Sequence, residues 1–178
     1  MIMRVGLVQI NSSFSGQCYL PYSVGILQSY VLSHVRGPEQ FEFLLPIYKR
    51  VLIQEAVAQL KGADVIAFSC YVWNEQLSLA IAKTLKEICP KTLIVFGGPQ
   101  IPHRTSEIEA FLRVHRFVDL VVHQAGEIAF TAILEHNCSE SWDTVPSLSF
   151  LDENETLHHT AKALALKDLD DVPSPYLT

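Results

Sequence analysis

Three short runs in this chain, Val65-Ile-Ala-Phe-Ser-Cys70, Leu93-Ile-Val-Phe96 and Leu120-Val-Val122, are apolar almost without a break. Strands that carry apolar side chains on both faces must be covered on both faces, as happens in parallel sheets flanked by helices. Longer stretches with helical spacing lie between such runs. Arg4–Ile10 reads as a first strand, followed by a helix from Leu20 to about Ser33 with Val24, Leu27, Tyr30 and Val31 on one side. Phe41–Leu45 and Val51–Leu60 give a second strand and helix. Val65–Ser69 is the third strand, and its helix runs from Asn74 to about Ile88, where Pro90 stops it. Leu93–Phe96, Ser106–Val114, Leu120–His123 and Glu127–His136 complete the series. Five strand–helix units in succession predict an α/β fold, a doubly wound three-layer sandwich of five parallel strands.

The pattern changes after Trp142. Ser147–Leu151, the polar Asp152-Glu-Asn-Glu155 and Thr156–His158 read as two short strands around a turn. Asp168-Leu-Asp-Asp-Val-Pro-Ser-Pro-Tyr-Leu177 has neither helical nor strand period. The expected organisation is therefore a main domain over 1–142, a small β-hairpin appendage over 143–167 and a linker over 168–178 that leads elsewhere.

Composition narrows the class. The 178 residues are 49% hydrophobic and 18% charged, and the mean hydropathy of +0.22 excludes disorder for most of the chain. No apolar run approaches the roughly 18–20 residues of a membrane span. Met1 leads into a strand-like segment with no signal-peptide pattern, so a cytoplasmic location is expected. Cys18, Cys70, Cys89 and Cys138 lie far apart, with no CxxC spacing for zinc or an iron–sulfur cluster. A net charge of −6 without a basic cluster argues against nucleic acid and anionic membranes as partners.

Ligands of open parallel sheets bind beyond the carboxyl ends of the strands, at the point where strand order reverses. Three strand-to-helix loops have unusual content. The first, Asn11 to Pro21, is long and rich in hydroxyls, and serves either as a solvated loop or as a set of donors without charge. It lacks GxGxxG, so no dinucleotide fingerprint is present. The third, Ser69-Cys-Tyr-Val-Trp-Asn74, brings Tyr71 and Trp73 to the crevice, as rim packing or as a flat apolar wall, with Asn74 suited to cap the next helix. The fourth, Gly97-Gly-Pro-Gln100 and onward, pairs two glycines after a buried strand, either for a tight turn or to admit something bulky. Ser106-x-x-Glu109 reads as a capping box, and Glu127 suits a helix start through the dipole. No carboxylate pair, nucleophile with base, or histidine ligand spacing is visible, so no catalytic and no metal-ligating residue is expected. On these residues alone the domain is a binder.

The same segments carry a resemblance. Tyr19-Leu-Pro-Tyr-Ser-Val-Gly-Ile-Leu27 is similar to "YLPxxxGxL", and Ala63-Asp-Val-Ile-Ala-Phe-Ser-Cys-Tyr-Val-Trp-Asn74 to "ADVVGFSCYxWN". Val95-Phe-Gly-Gly-Pro-Gln100 matches "VxGGPxxT", and Val121-Val-His-Gln-Ala-Gly-Glu127 is a degenerate "VVxGEGE" with Gln124-Ala125 in place of Gly-Glu. Val145-Pro-Ser-Leu148 and Asp168–Leu177 resemble "IPGLxxR" and "DLDxxPSPYL". Taken in order over nearly the whole chain, they resemble the N-terminal cobalamin (B12)-binding domain of the B12-dependent radical SAM family, many of whose members are methyltransferases. The resemblance implies a flavodoxin-like (Rossmann-like) sheet of order 2-1-3-4-5 with the corrin ring across its carboxyl edge and the benzimidazole tail beside the fourth strand. Gly97 and Gly98 would leave space for that tail, with Pro99 and Gln100 beside them; a bulky residue at Gly98 would abolish binding and spare the fold. Ser69 and Asn74 would hydrogen-bond amide arms or the nucleotide, Gly126 and Glu127 would border the tail pocket, and Tyr71, Val72 and Trp73 would face the lower side of the ring. Ser13, Gly16, Tyr19 and Leu20 of the first loop complete the implied cofactor-binding set.

Two departures qualify the resemblance. Many B12 modules carry DxHxxG in the first loop, whose His ligates cobalt; here the same spacing holds Asn11-x-Ser13-x-x-Gly16. A hydroxyl is a poor cobalt ligand, so binding base-off without a loop histidine is expected. The radical SAM CxxxCxxC would follow the linker, so a barrel carrying a 4Fe–4S cluster and S-adenosylmethionine is expected beyond this chain, as the partner of a methyl-carrier domain. The competing expectations are a cofactor-free protein-interaction module and a flavin or nucleotide binder on the same scaffold.

Overall fold

A computed structural model describes residues 2–17, 19–136 and 141–176. Residues 137–140 of the main domain, Leu177 and Thr178 of the expected linker, and two of the cysteines, Cys18 and Cys138, lie outside the described residues. In chain order the elements are β1 (Met3–Val8), α1 (Tyr22–His34), β2 (Phe41–Phe43), α2 (Ile53–Leu60), β3 (Val65–Ser69), α3 (Glu75–Ile88), β4 (Leu93–Gly97), α4 (Thr105–Val114), β5 (Leu120–Val122), α5 (Glu127–Glu135), β6 (Leu148–Leu151) and β7 (Leu157–His159). The sheet order is β2-β1-β3-β4-β5-β6-β7. The first five strands pair in parallel, so strand order reverses at β1 and β3. Although β1 ends at Val8, its path continues, because Gln9 N donates to Ile47 O at 2.9 Å and Asn11 N to Tyr48 O at 2.9 Å.

The expectation of five strands with a separate hairpin is corrected: the hairpin extends the same sheet, which is mixed and seven-stranded. β6 pairs antiparallel with β5 through Val121↔Ser149 and Val122↔Leu148, and β7 pairs antiparallel with β6. A lone two-stranded hairpin is marginal in water. Joining β5 buries Leu148 and Phe150 in the core shared with α1 and α5. The expected capping box is also absent, since α4 begins at Thr105 and Glu109 instead takes Arg113 at 2.8 Å.

Alternate strand residues divide between two cores. Ile66, Phe68, Ile94, Phe96 and Val121 point to the side of α2, α3 and α4. Val65, Ala67, Val95, Leu120 and Val122 point to the side of α1 and α5. α1 is covered on a second flank as well. Ser29 Oγ donates to Pro173 O at 3.1 Å, and Tyr176 stacks on Tyr22 with ring centroids 6.2 Å apart. The proline-punctuated segment therefore lies along α1.

Candidate functional site

Beyond the carboxyl ends of β3, β4 and β5, between α1 and α5, lies a cavity of about 270 Å³. It exists because small residues occupy the strand positions that face it: Ala67 and Ser69 on β3, Val95 and Gly97 on β4. Tyr22, Ser23, Ile26 and Leu27 of α1 form one wall, and Gly126, Glu127 and Phe130 at the start of α5 form the other. The volume is at the small end for ligand pockets. It suits an appendage of a large ligand better than a whole macrocycle.

Seven of the residues singled out from the sequence line this cavity: Ser69, Tyr71, Gly97, Gly98, Pro99, Gly126 and Glu127. Glu127 Oε2 is buried without a hydrogen-bond partner, and it lies at the first turn of α5. A buried acceptor left unpaired costs stability, and it offers a ligand with a donor something to bind. Tyr71 OH and Ser23 Oγ are 2.8 Å apart, which joins the third loop to α1 across the cavity. Tyr30 behind this wall has its phenol pKa raised by burial and then by the Glu127 and Asp171 carboxylates.

The two glycines differ in role. Gly98 has φ +103°, and a Cβ there would lie 2.6 and 2.7 Å from Cys70 backbone atoms. It is glycine because the third loop crosses it, with Gln100 N donating to Cys70 O at 3.2 Å. A bulky residue at Gly98 therefore disrupts the crossing loops, contrary to the expectation that the fold would be spared. At Gly97 a Cβ meets only Val122, at 3.6 Å and beyond. That position borders the cavity without strain.

The remaining residues lie outside the cavity lining. Asn74 is buried; its Oδ1 accepts from Tyr71 N at 2.8 Å, and its Nδ2 donates to Ile10 O at 2.9 Å and Ser69 O at 3.1 Å. Both amide hydrogens are used inside the protein, so Asn74 braces the third loop. Trp73 stacks on Tyr71 with centroids 4.7 Å apart and donates Nε1–H to Ile10 O at 3.1 Å. Val72 is 73% exposed beside it. Gln100 Nε2 reaches Glu75 at 3.4 Å.

In the first loop Ser13 has φ +52°, and its N and Oγ both donate to Asn11 Oδ1, at 2.9 and 3.1 Å. Asn11 Nδ2 is left buried and unpaired. Gly16 has φ +71° with open space around it, so backbone conformation explains it. Tyr19 and Leu20 are exposed by 61% and 60%.

Sequence reasoning missed Gln9, whose Oε1 accepts from Val24 N at 3.1 Å and fixes the start of α1. It also missed the wall residues Tyr22, Ser23 and Ile26; their spacing of three and four residues was the available signal. Cys70 is buried on the other face, and burial pushes its thiol pKa up to about 12. His123 lies where β5 leaves the sheet, 2.6 Å from Ser149 Oγ. Burial lowers its imidazole to about 4.

No protein-family model matches the chain. Over 161 residues it is 35% identical to the cobalamin-dependent radical SAM methyltransferase TokK of Streptomyces tokunonensis, which covers 89% of this chain and 23% of that protein. It is 34% identical over 161 residues to the 2-(S-pantetheinyl)-carbapenam-3-carboxylate methyltransferase of Streptantibioticus cattleyicolor, again 89% of this chain and 23% of that one. Among solved structures, the cobalamin-dependent S-adenosylmethionine radical enzyme OxsB with aqua-cobalamin and S-adenosylmethionine bound superposes with a TM-score of 0.74. It is 19% identical and the match covers 97% of this chain and 24% of OxsB. OxsB in its apo form gives 0.67 at 20% identity. This chain thus spans about a quarter of the length of the relatives it matches. It is a homologue of one segment of the cobalamin-dependent radical SAM methyltransferase TokK and of the carbapenam-carboxylate methyltransferase.

Proposed function

We propose that this chain binds cobalamin in base-off form, with the benzimidazole tail in the cavity between α1 and α5, as the cytoplasmic methyl-carrier domain of a B12-dependent radical SAM methyltransferase. The observation that carries the reading is the cavity: a mainly apolar slot at the strand ends, sized for a tail. The residues fit the group. Gly97 and Ala67 leave room for an aromatic base, and Glu127 Oε2 supplies an unpaired acceptor for a nucleotide donor.

When bound, the corrinoid cobalt supplies the methyl-carrying centre. The protein's own residues bind and orient. Ser13 stands where other B12 modules place imidazole, and its hydroxyl is already engaged by Asn11, which supports binding without a histidine ligand from this loop. Val72 and the stacked pair Tyr71 and Trp73 would shield the lower face from water. Tyr71 and Ser23 would close over the tail. In this reading 1–142 is the binding domain, 143–167 its hairpin appendage, and 168–178 runs toward a barrel that holds the 4Fe–4S cluster and S-adenosylmethionine.

Mixing the protein with hydroxocobalamin and separating it by gel filtration tests the reading. A red protein fraction with the corrinoid spectrum of the base-off form is expected. Protein that elutes colourless defeats the proposal, and a yellow protein as purified would point to flavin. The cofactor-free alternative lacks support while the cavity is open.

A further inference from the structure

Helix α1 has a ligand wall on one flank and a strap on the other. The strap runs antiparallel to the helix. Pro173 O accepts from Ser29 Oγ at 3.1 Å, Pro175 packs where a Cβ on Gly25 would come within 3.0 Å, and Tyr176 lies on Tyr22. Tyr22, Ser23, Ile26 and Leu27 of the same helix face the cavity. Tyr22 belongs to both surfaces, so the strap ends at the cavity mouth. Two sequence segments 150 residues apart, one containing Gly25 and the other Pro-Ser-Pro-Tyr176, thus meet face to face.

We propose that docking of the 173–176 strap on Gly25 and Ser29 positions α1 as a cavity wall, so that strap docking and corrinoid binding reinforce one another. The proposal rests on the functional reading above. Gly25 serves it by having no side chain: alanine or leucine would favour the helix, yet even a Cβ would crowd Pro175 at 3.0 Å. Ser29 serves it by burial: the residue is 1% exposed beneath the strap, and Pro173 O competes with Gly25 O and Ile26 O, all at 3.0–3.2 Å, for its one hydroxyl proton. A helix held from outside cannot drift away from α5, and a ligand wedged between α1 and α5 presses α1 toward the strap. Coupling between two sites is reciprocal, and a typical coupling changes each affinity by about 5- to 150-fold.

Two measurements on the 178-residue chain test this. In the wild type, saturation with hydroxocobalamin is expected to slow amide exchange at Asp171, Val172, Ser174 and Tyr176 at least about five-fold. The Gly25→Leu variant is expected to bind hydroxocobalamin at least about five-fold more weakly. Its circular dichroism should match that of wild type, because leucine favours the helix. Ser29→Ala should act in the same direction with a smaller effect. Hydroxocobalamin uptake by wild type with unchanged exchange in the strap overturns the coupling and leaves the functional reading standing, whatever the variants do. Failure of wild type to take up hydroxocobalamin overturns both.

Discussion

β3 and β4 present one face that is filled and one that is hollow at the carboxyl edge. Toward α3 and α4 they offer Phe68 and Phe96, whose rings stack 4.8 Å apart, with Phe111 tilted against Phe96 at 6.3 Å. Toward α1 and α5 the intervening positions carry Ala67, Ser69, Val95 and Gly97. Backbone, register and strand length are shared, so side-chain size alone decides which face leaves a cavity. Native interiors are packed close to crystal density. A slot of about 270 Å³ therefore stands out beside so tight a layer.

The comparison can be broken from either side. Gly97→Leu should make the hollow face resemble the filled one. Its backbone needs no positive φ and its Cβ has room, so the folded protein should persist while hydroxocobalamin uptake is abolished; equilibrium dialysis measures this. Phe96→Ala should do the opposite, hollowing the filled face. A loss of about 3–5 kcal/mol in urea unfolding is expected, with uptake per folded molecule unchanged. A weaker effect should appear at the hairpin edge. Burial keeps His123 neutral down to about pH 4, whereas the unfolded imidazole takes a proton below about 6.5. The unfolded state thus binds the extra proton in that window, and stability falls as pH drops from 6.5 toward 4. His123→Gln should flatten that part of the stability–pH profile.

The strands and helices were legible because their apolar periods are local, and the parallel sheet followed from continuous apolar runs in three of its strands. The hollow face was also written in the sequence, as Ala67, Ser69, Val95 and Gly97 at every second position. A continuous run conceals that alternation until residue size is considered along with polarity. Other features depend on distant partners. Gly25 and Ser29 look like weak helix positions, and their meaning comes from Pro173 and Pro175. The hairpin was legible as a hairpin, but its addition to β5 was not, because pairing is set by an open sheet edge. Side-chain direction in the loops was hidden too. Asn74 and Ser13 carry polar groups apt for a ligand, yet the fold uses them to tie its own loops.

Cys70 follows β3 directly, yet it lies on the filled face, 1% exposed. Its thiol, held protonated up to about pH 12, is a poor nucleophile at neutral pH. A methyl group carried at the proposed site would therefore meet no reactive thiol at Cys70.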